Sequence, residues 1–251
     1  LAGADTVLAI SEHTAGTTRQ HAAAHGLGDI SDRVVVAPLG HDRDATVGPD
    51  LDVLEAARVA GLGLDERPFL LFMGGVDARR RIDLLVTAFN NLRAEGRDLR
   101  LVLAGYDFRS TDTIFTPAAR DAILGSSYRH DIELLGYVSD AERSWLYDRA
   151  AAFVFPTEHE GFGLPVVEAL AAGCTVVSFD TTSISELGRG PNCYLCEPSW
   201  RDLASTIVEV MERPADRRAR DAEGGREFAA SFTWERFGRT LVTRVERHRA
   251  R

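Results

Sequence analysis

Short apolar runs alternate with stretches of helical periodicity along most of this chain. Phe69-Leu-Leu-Phe-Met73, Leu99 to Ala104, Ile132 to Leu135, Ala151 to Phe155 and Thr175 to Phe179 read as strands. Continuous apolar runs of this length between turn signals suit strands buried on both faces. Ile82 to Leu92, Pro117 to Leu124, Ser139 to Ala150 and Leu164 to Ala172 carry helical patterns between them, and Ser139-Asp-Ala-Glu142 is a capping box. Strands separated by such helices need right-handed crossovers and form a parallel sheet covered on both faces. The expected fold class is therefore α/β, a doubly wound, Rossmann-like parallel sheet, with ligands bound where strand C-termini meet helix N-termini.

The two ends of the chain carry less regular patterns. Asp5 to Ile10 predicts a strand, Ser11 caps a helix to about His25, and Arg33 to Ala37 predicts a second strand, so one strand-helix-strand unit ends in a polar turn and a boundary falls near Gly40. Asp50 to Ala60 predicts a helix with Leu51, Leu54 and Val59 available for packing. Leu203 to Met211 and Arg213 to Ala230 predict helices, and Thr233 starts a last one in which Trp234, Phe237, Leu241 and Val245 recur at helical spacing. That stripe is expected to dock on protein. Arg236, Arg239, Arg244 and Arg247 on its other faces add an expectation of peripheral contact with anionic lipid.

Composition narrows the partners. A net charge of −9 over 251 residues argues against a nucleic-acid binder, whose affinity comes from neutralising phosphates over a broad surface. A small phosphorylated ligand needs only a local cationic cluster, and here that cluster must use the guanidinium fork, because the chain has no lysine. The three cysteines, Cys174, Cys193 and Cys196, form no disulfide framework and fit a reducing, cytoplasmic location. Cys193-Tyr-Leu-Cys196 has redox or zinc spacing but falls in an expected strand with no second ligand pair. No apolar run approaches the length of a bilayer span, and the chain, starting at Leu1, reads as a piece of something longer.

The candidate chemistry lies between Phe155 and Gly173. A strand end, a turn holding Gly161 and Gly163, and a helix started by Pro165 follow one another there. Free N–H groups and the dipole at such a helix start favour a phosphate. Glu160 precedes the turn and Glu168 sits one helical turn beyond it. A second anion-binding feature follows the strand at Met73, where Gly74-Gly75 allow close backbone approach and Arg79-Arg80-Arg81 supply charge. Two such features at strand ends of one sheet can face one diphosphate. Gly161-Phe-Gly163 lacks the third glycine of a dinucleotide fingerprint, which disfavours a nicotinamide enzyme. Glu158-His159-Glu160 and Asp42-Arg-Asp44 are too short and too common to assign a metal, and no histidine pairs with a serine or cysteine as a nucleophile would require.

These residues resemble the retaining glycosyltransferases of family 4, which pair two Rossmann-like domains in the GT-B arrangement. Glu160-Gly-Phe-Gly-Leu-Pro-Val-Val-Glu168 is similar to that family's Glu-x7-Glu motif, and Ala-Leu-Ala-Ala-Gly173 follows it. Phe72 to Leu85 resembles its phosphate loop, Leu134-Leu-Gly-Tyr-Val-Ser-Asp140 its base-contacting loop, and Phe232-Thr-Trp-Glu235 its closing helix. Residues 1–40 resemble the last strand-helix-strand of the acceptor domain, most of which is absent from this chain. The resemblance implies residues 41–231 as the nucleotide-sugar domain and residues 232–251 as a helix packing back on the acceptor domain.

Several roles follow from the resemblance. Glu160 and Arg80 would be catalytic, with Glu160 at the donor sugar and Arg80, where the family usually has lysine, at the leaving diphosphate. The N–H groups of Gly163 and Leu164 would hold the diphosphate, Gly74, Gly75, Arg79, Gly161 and Phe162 would also bind the donor, Glu168 would hold the ribose, and Tyr137 and Val138 would sit at the base, with the loop from Gly105 to Pro117 bordering the nucleotide. No metal and no cofactor are implied. The donor would be a UDP- or GDP-linked sugar, with GDP-mannose favoured, and the acceptor a glycan or lipid-linked sugar. The missing acceptor half would come from upstream residues or a partner chain. The alternative is a non-catalytic nucleotide-sugar-binding subunit.

Overall fold

The structure is a computed structural model that describes residues 3–42 and 57–249. Its largest layer is a six-stranded parallel sheet. The strands are β3 (Phe69–Met73), β4 (Arg100–Ala104), β5 (Ile132–Gly136), β6 (Ala152–Phe155), β7 (Val176–Phe179) and β8 (Cys193–Cys196), numbered after a separate parallel pair, β1 (Val7–Ala9) and β2 (Val34–Val36). Their order across the sheet is β5-β4-β3-β6-β7-β8. Every residue of β3, β6 and β7 is buried, which is why their sequences are unbroken apolar runs rather than alternating ones.

The order reverses direction at β3. From β3 the chain steps outward through α3 (Ile82–Ala94) to β4 and through α4 (Pro117–Leu124) to β5, then returns through α5 (Asp140–Arg149) to β6 on the other side of β3. Right-handed crossovers in opposite directions put their helices on opposite faces. The helices α3 and α4 accordingly lie on one face and α5 and α6 (Leu164–Ala171) on the other, leaving a crevice above the C-termini of β3 and β6. The capping box at the start of α5 is complete, the Ser139 hydroxyl accepting from Glu142 N–H and the Glu142 carboxylate accepting from Ser139 N–H. Ala57–Ala60 is helical with Val59 buried, while Leu51 and Leu54 of the expected helix, and Arg43-Asp44 of the Asp-x-Asp run, lie outside the described residues.

β1 and β2 flank α1 (Glu12–Ala24), whose N-cap is Ser11, as expected from the sequence. The chain returns to this unit at its end, after α8 (Trp200–Met211) and α9 (Ala215–Ala229), in α10 (Trp234–Arg249). Arg244 Nε donates to Thr6 Oγ1 at 3.2 Å, and its guanidinium also reaches the Asp32 carbonyl. Here the structure shows which side of α10 meets that unit. Trp234, Leu241, Val242 and Val245 are exposed, and the side of α10 turned to β2 is polar and basic, enclosing a groove of about 500 Å³ lined by Val35, Thr240, Arg244 and Arg247 among others. The apolar stripe exists, with Phe237 half-buried and the rest of it exposed among the described residues. Among the described residues no helix is long and apolar enough to cross a membrane.

At the opposite end of the sheet from the crevice, Asp131 is buried just before β5. Arg67 Nη2 and Arg93 Nη2 approach its two oxygens at 2.7 and 2.9 Å. Burial alone would raise this carboxyl, but Arg67, Arg93 and His130 outweigh it and hold it below the usual carboxylate range. A group with a depressed folded value contributes stability that is complete above its unfolded value, about 4, and is lost as pH falls through the folded value. Asp131→Ala is therefore expected to cost about 2 kcal/mol in urea unfolding at pH 7, less any compensation from Asp98, and the loss should shrink steadily below about pH 4. A penalty unchanged between pH 7 and pH 3 would contradict this assignment.

Candidate functional site

The crevice between β3 and β6 is built from glycines before any side chain enters it. β3, β4 and β5 are followed or closed by Gly74, Gly105 and Gly136, with φ of 146°, 144° and 66°. Gly74 N–H donates to the Ala104 carbonyl at 2.9 Å, and Gly105 N–H to the Gly136 carbonyl at 2.8 Å, so the three strand ends are tied edge to edge. A Cβ at Gly105 would lie 2.0 Å from the Gly74 oxygen, and one at Gly74 would lie 2.1 Å from Arg80 Nη1. The first clash is with backbone. The second shows that the missing side chain at Gly74 is the space Arg80 occupies.

Arg79, Arg80 and Arg81, one basic run in the sequence, take three separate places. Arg79 is exposed beside Asp77, and its carbonyl accepts from Glu158 N–H at 2.8 Å, which ties the loop after β3 to the loop after β6. Arg81, with φ 36°, bridges Asp83 and Glu158. Only Arg80 turns into the crevice. Its guanidinium lies over the Phe155 ring, 5.3 Å from the centroid, and its Nε is 3.4 Å from Glu160 Oε1. That contact has charge attraction without hydrogen-bond geometry, for Nε is buried and has no hydrogen-bond partner among the described residues. A buried guanidinium N–H without a protein partner carries a demand that an anion would satisfy.

Glu160 is the facing group. It is buried, its N–H donates to Thr182 Oγ1 at 3.0 Å, and its carbonyl accepts from Ser183 Oγ at 2.9 Å. Thr157 Oγ1 approaches its carboxylate at 3.4 Å. The chain then turns through Gly161, Phe162 and Gly163 into α6. Gly163 is the N-cap with φ 99° and ψ 43°, and a Cβ there would meet Ile184 Cδ1 at 2.6 Å. Pro165 occupies the first turn, where its missing N–H costs nothing. Among the described residues the N–H groups of Phe162, Gly163 and Leu164 have no protein acceptor. Glu168 stands half-buried one turn along α6.

Gly74, Gly75, Arg80, Glu160, Gly161, Gly163 and Leu164 thus border the two loops at the strand reversal, as the sequence placed them. Phe162 enters differently. Its ring is buried against Phe232, 5.6 Å between centroids, so only its backbone is offered to the crevice. Tyr137 and Val138 follow β5, separated from β3 by β4; Tyr137 is exposed and Val138 packs on the core. Arg79 turns away. Sequence reasoning missed Asp107, whose Oδ2 accepts from Val76 N–H at 2.8 Å and fixes the loop after β3. Gly105 and Gly136 were placed in loops beside the nucleotide, but their part in tying the strand ends was not read, although a glycine directly at the end of each apolar run was the available signal.

The Cys193-x-x-Cys196 spacing carries no shared chemistry here. Both residues are in β8, where positions three apart point to opposite faces. Both thiols are free and buried, and burial pushes each up to about 12. Glu158 and Glu160 point to different arginines.

Residues 67–213 match the family described as Glycosyl transferases group 1. An O-antigen chain mannosyltransferase B from Escherichia coli is 30% identical over 210 residues, covering 82% of this chain and 52% of that protein. A mannosylfructose-phosphate synthase from Agrobacterium fabrum is 26% identical over 187 residues, covering 72% and 41%. The chain thus spans about half the length of these relatives. Among solved structures, Anabaena HepE in complex with UDP and glucose superimposes with a TM-score of 0.77 at 17% identity, covering 96% of this chain and 63% of that one.

The geometry at Gly163 makes a direct test. Gly163→Ala is expected to lower stability by about 1–3 kcal/mol, through the positive φ and the approach to Ile184. An unaltered urea midpoint would show that the turn is not built this way.

Proposed function

The chain belongs to the glycosyl transferases of group 1, and on that premise we propose that it is the donor-binding half of a retaining, metal-independent glycosyltransferase. The observation that carries this reading is the pairing of Arg80 with Glu160 beside a helix start whose N–H groups have no protein acceptor. A nucleotide diphosphate fits that arrangement. Its phosphates would lie on the N–H groups of Gly163 and Leu164, where the dipole of α6 favours negative charge. The ribose hydroxyls would reach Glu168, and the base would extend over β4 toward Tyr137 and Val138.

When the glycosidic bond breaks, its electron pair goes to the diphosphate oxygen. Groups already aimed at that oxygen stabilise the transition state more than the ground state. Arg80 is such a group, with its guanidinium over Phe155 and its Nε without a protein partner. Glu160 has a double role. It keeps the buried guanidinium compensated before donor arrives, and its carboxylate accepts from the hydroxyls of the transferred sugar. The names of the relatives favour mannose as that sugar. A glycan or lipid-linked acceptor would be held by the rest of the protein, of which residues 1–40 form the near edge and against which the exposed stripe of α10 would pack. The reading places the enzyme in the cytoplasm, with any membrane contact peripheral at the inner face.

Arg80→Ala in the full-length protein is expected to lower turnover with GDP-mannose or UDP-glucose by about 10²- to 10³-fold, the typical effect of removing one preorganised donor. Glu168→Ala should instead weaken donor binding by about 1–3 kcal/mol in calorimetry. Native turnover in the first variant or native affinity in the second would remove that residue from the site.

A further inference from the structure

The turn from Glu160 to Gly163 is gripped from outside the six-stranded sheet. Ser11 Oγ donates to the Gly161 carbonyl at 2.7 Å and Thr14 Oγ1 donates to the same oxygen at 3.0 Å. Both residues stand at the start of α1, and Ser11 Oγ also accepts from Thr14 N–H as the N-cap. The grip is reciprocal. Glu186, in the short helix α7 (Ile184–Leu187) that follows β7, accepts from the N–H groups of Glu12 and His13 at 3.0 and 2.7 Å. A carboxylate at a helix N-terminus is favoured by the dipole and by the free N–H groups together. The His13 ring also meets the His159 ring edge-on, 5.8 Å between centroids.

The consequence lies in one peptide plane. In a planar trans peptide the carbonyl and the following N–H point in opposite directions. Fixing the Gly161 carbonyl on α1 therefore aims the Phe162 N–H away from α1. Glycine at 161 would otherwise let this plane turn over at little cost, and the Phe162 ring, held on Phe232, keeps the Cα from following. The Phe162 N–H meets no protein acceptor among the described residues.

We propose that Ser11 and Thr14, with Glu186 holding α1 in place, are positioning residues of the donor site: they set the direction of the Phe162 N–H, so that it joins those of Gly163 and Leu164 in meeting the diphosphate of a nucleotide sugar. This rests on the donor reading above. The strand-helix-strand unit thereby acts on donor binding without touching the donor.

Thr14→Val removes one donor to the Gly161 carbonyl and keeps the side-chain shape. Ser11→Thr keeps both the cap and the hydroxyl. Two measurements on the unaltered chain and these variants separate the outcomes: calorimetric titration with UDP-glucose and with GDP-mannose, and amide relaxation dispersion at Phe162 and Gly163 without ligand. Thr14→Val is expected to weaken binding of whichever probe binds by about 3- to 10-fold. It should also introduce slow exchange at Phe162 and Gly163, with a melting temperature close to that of the unaltered chain. Ser11→Thr should keep native behaviour in both. Native affinity together with a quiet turn in Thr14→Val would overturn the positioning role and leave the donor reading intact. If the unaltered chain binds neither probe, the donor reading falls. The grip is then decided by relaxation alone, exchange upholding it and its absence overturning it.

Discussion

A guanidinium cannot be taken out of water unless a counter-charge and an aromatic or polar surface receive it, and the crevice of this protein is arranged around that requirement for Arg80. Glu160 supplies the charge, Phe155 the surface, and Gly74 the space. Each comes from a strand end at the point where the strand order reverses. The pairing is loose, with Nε at 3.4 Å and no hydrogen-bond geometry, so the cation is compensated yet still able to donate. A tight bidentate pair would be more stable and would offer an incoming anion nothing. The incomplete satisfaction of this side chain, beside a helix start with unaccepted N–H groups, is what the proposed anion site rests on.

The rest of the sheet holds that geometry still. The wholly buried strands β3 and β6 fix the two loops relative to each other, the backbone bond from Glu158 to Arg79 joins them, and Asp107 secures the loop after β3. The polar clasp through Ser11, Thr14 and Glu186 extends this control beyond the sheet. A unit outside the six-stranded sheet can thereby act on the direction of one N–H group of the crevice.

The sheet was legible because strands buried on both faces leave continuous apolar runs, and the reversal of strand order puts the ends of Phe69–Met73 and Ala152–Phe155 side by side. The acids, glycines and proline of the Glu160–Glu168 stretch were legible for a related reason: a turn into a helix start constrains consecutive residues. What the residues did not disclose depends on distance or on direction. Three arginines in a row look alike, yet the backbone turn at Arg81 sends them to three different partners. Phe162 sits inside the motif but turns its ring away. Ser11 and Thr14 are ordinary helix-start residues until the fold brings Gly161 to them from 150 positions along the chain. The apolar stripe of α10 was read with the right periodicity, but periodicity gives a face and says nothing of what lies against it, and within the described residues that face is exposed.

The central claim is that the anion site is the backbone between Phe162 and Leu164 together with the Arg80 side chain. The most direct test is an amide chemical-shift titration of the chain with GDP and with UDP. The account predicts that the largest changes fall at Gly74, Gly75, Phe162, Gly163 and Leu164, and that the Arg80 Nε–H shifts with them. Changes concentrated along α10 and β2, with the turn into α6 unmoved, would contradict it.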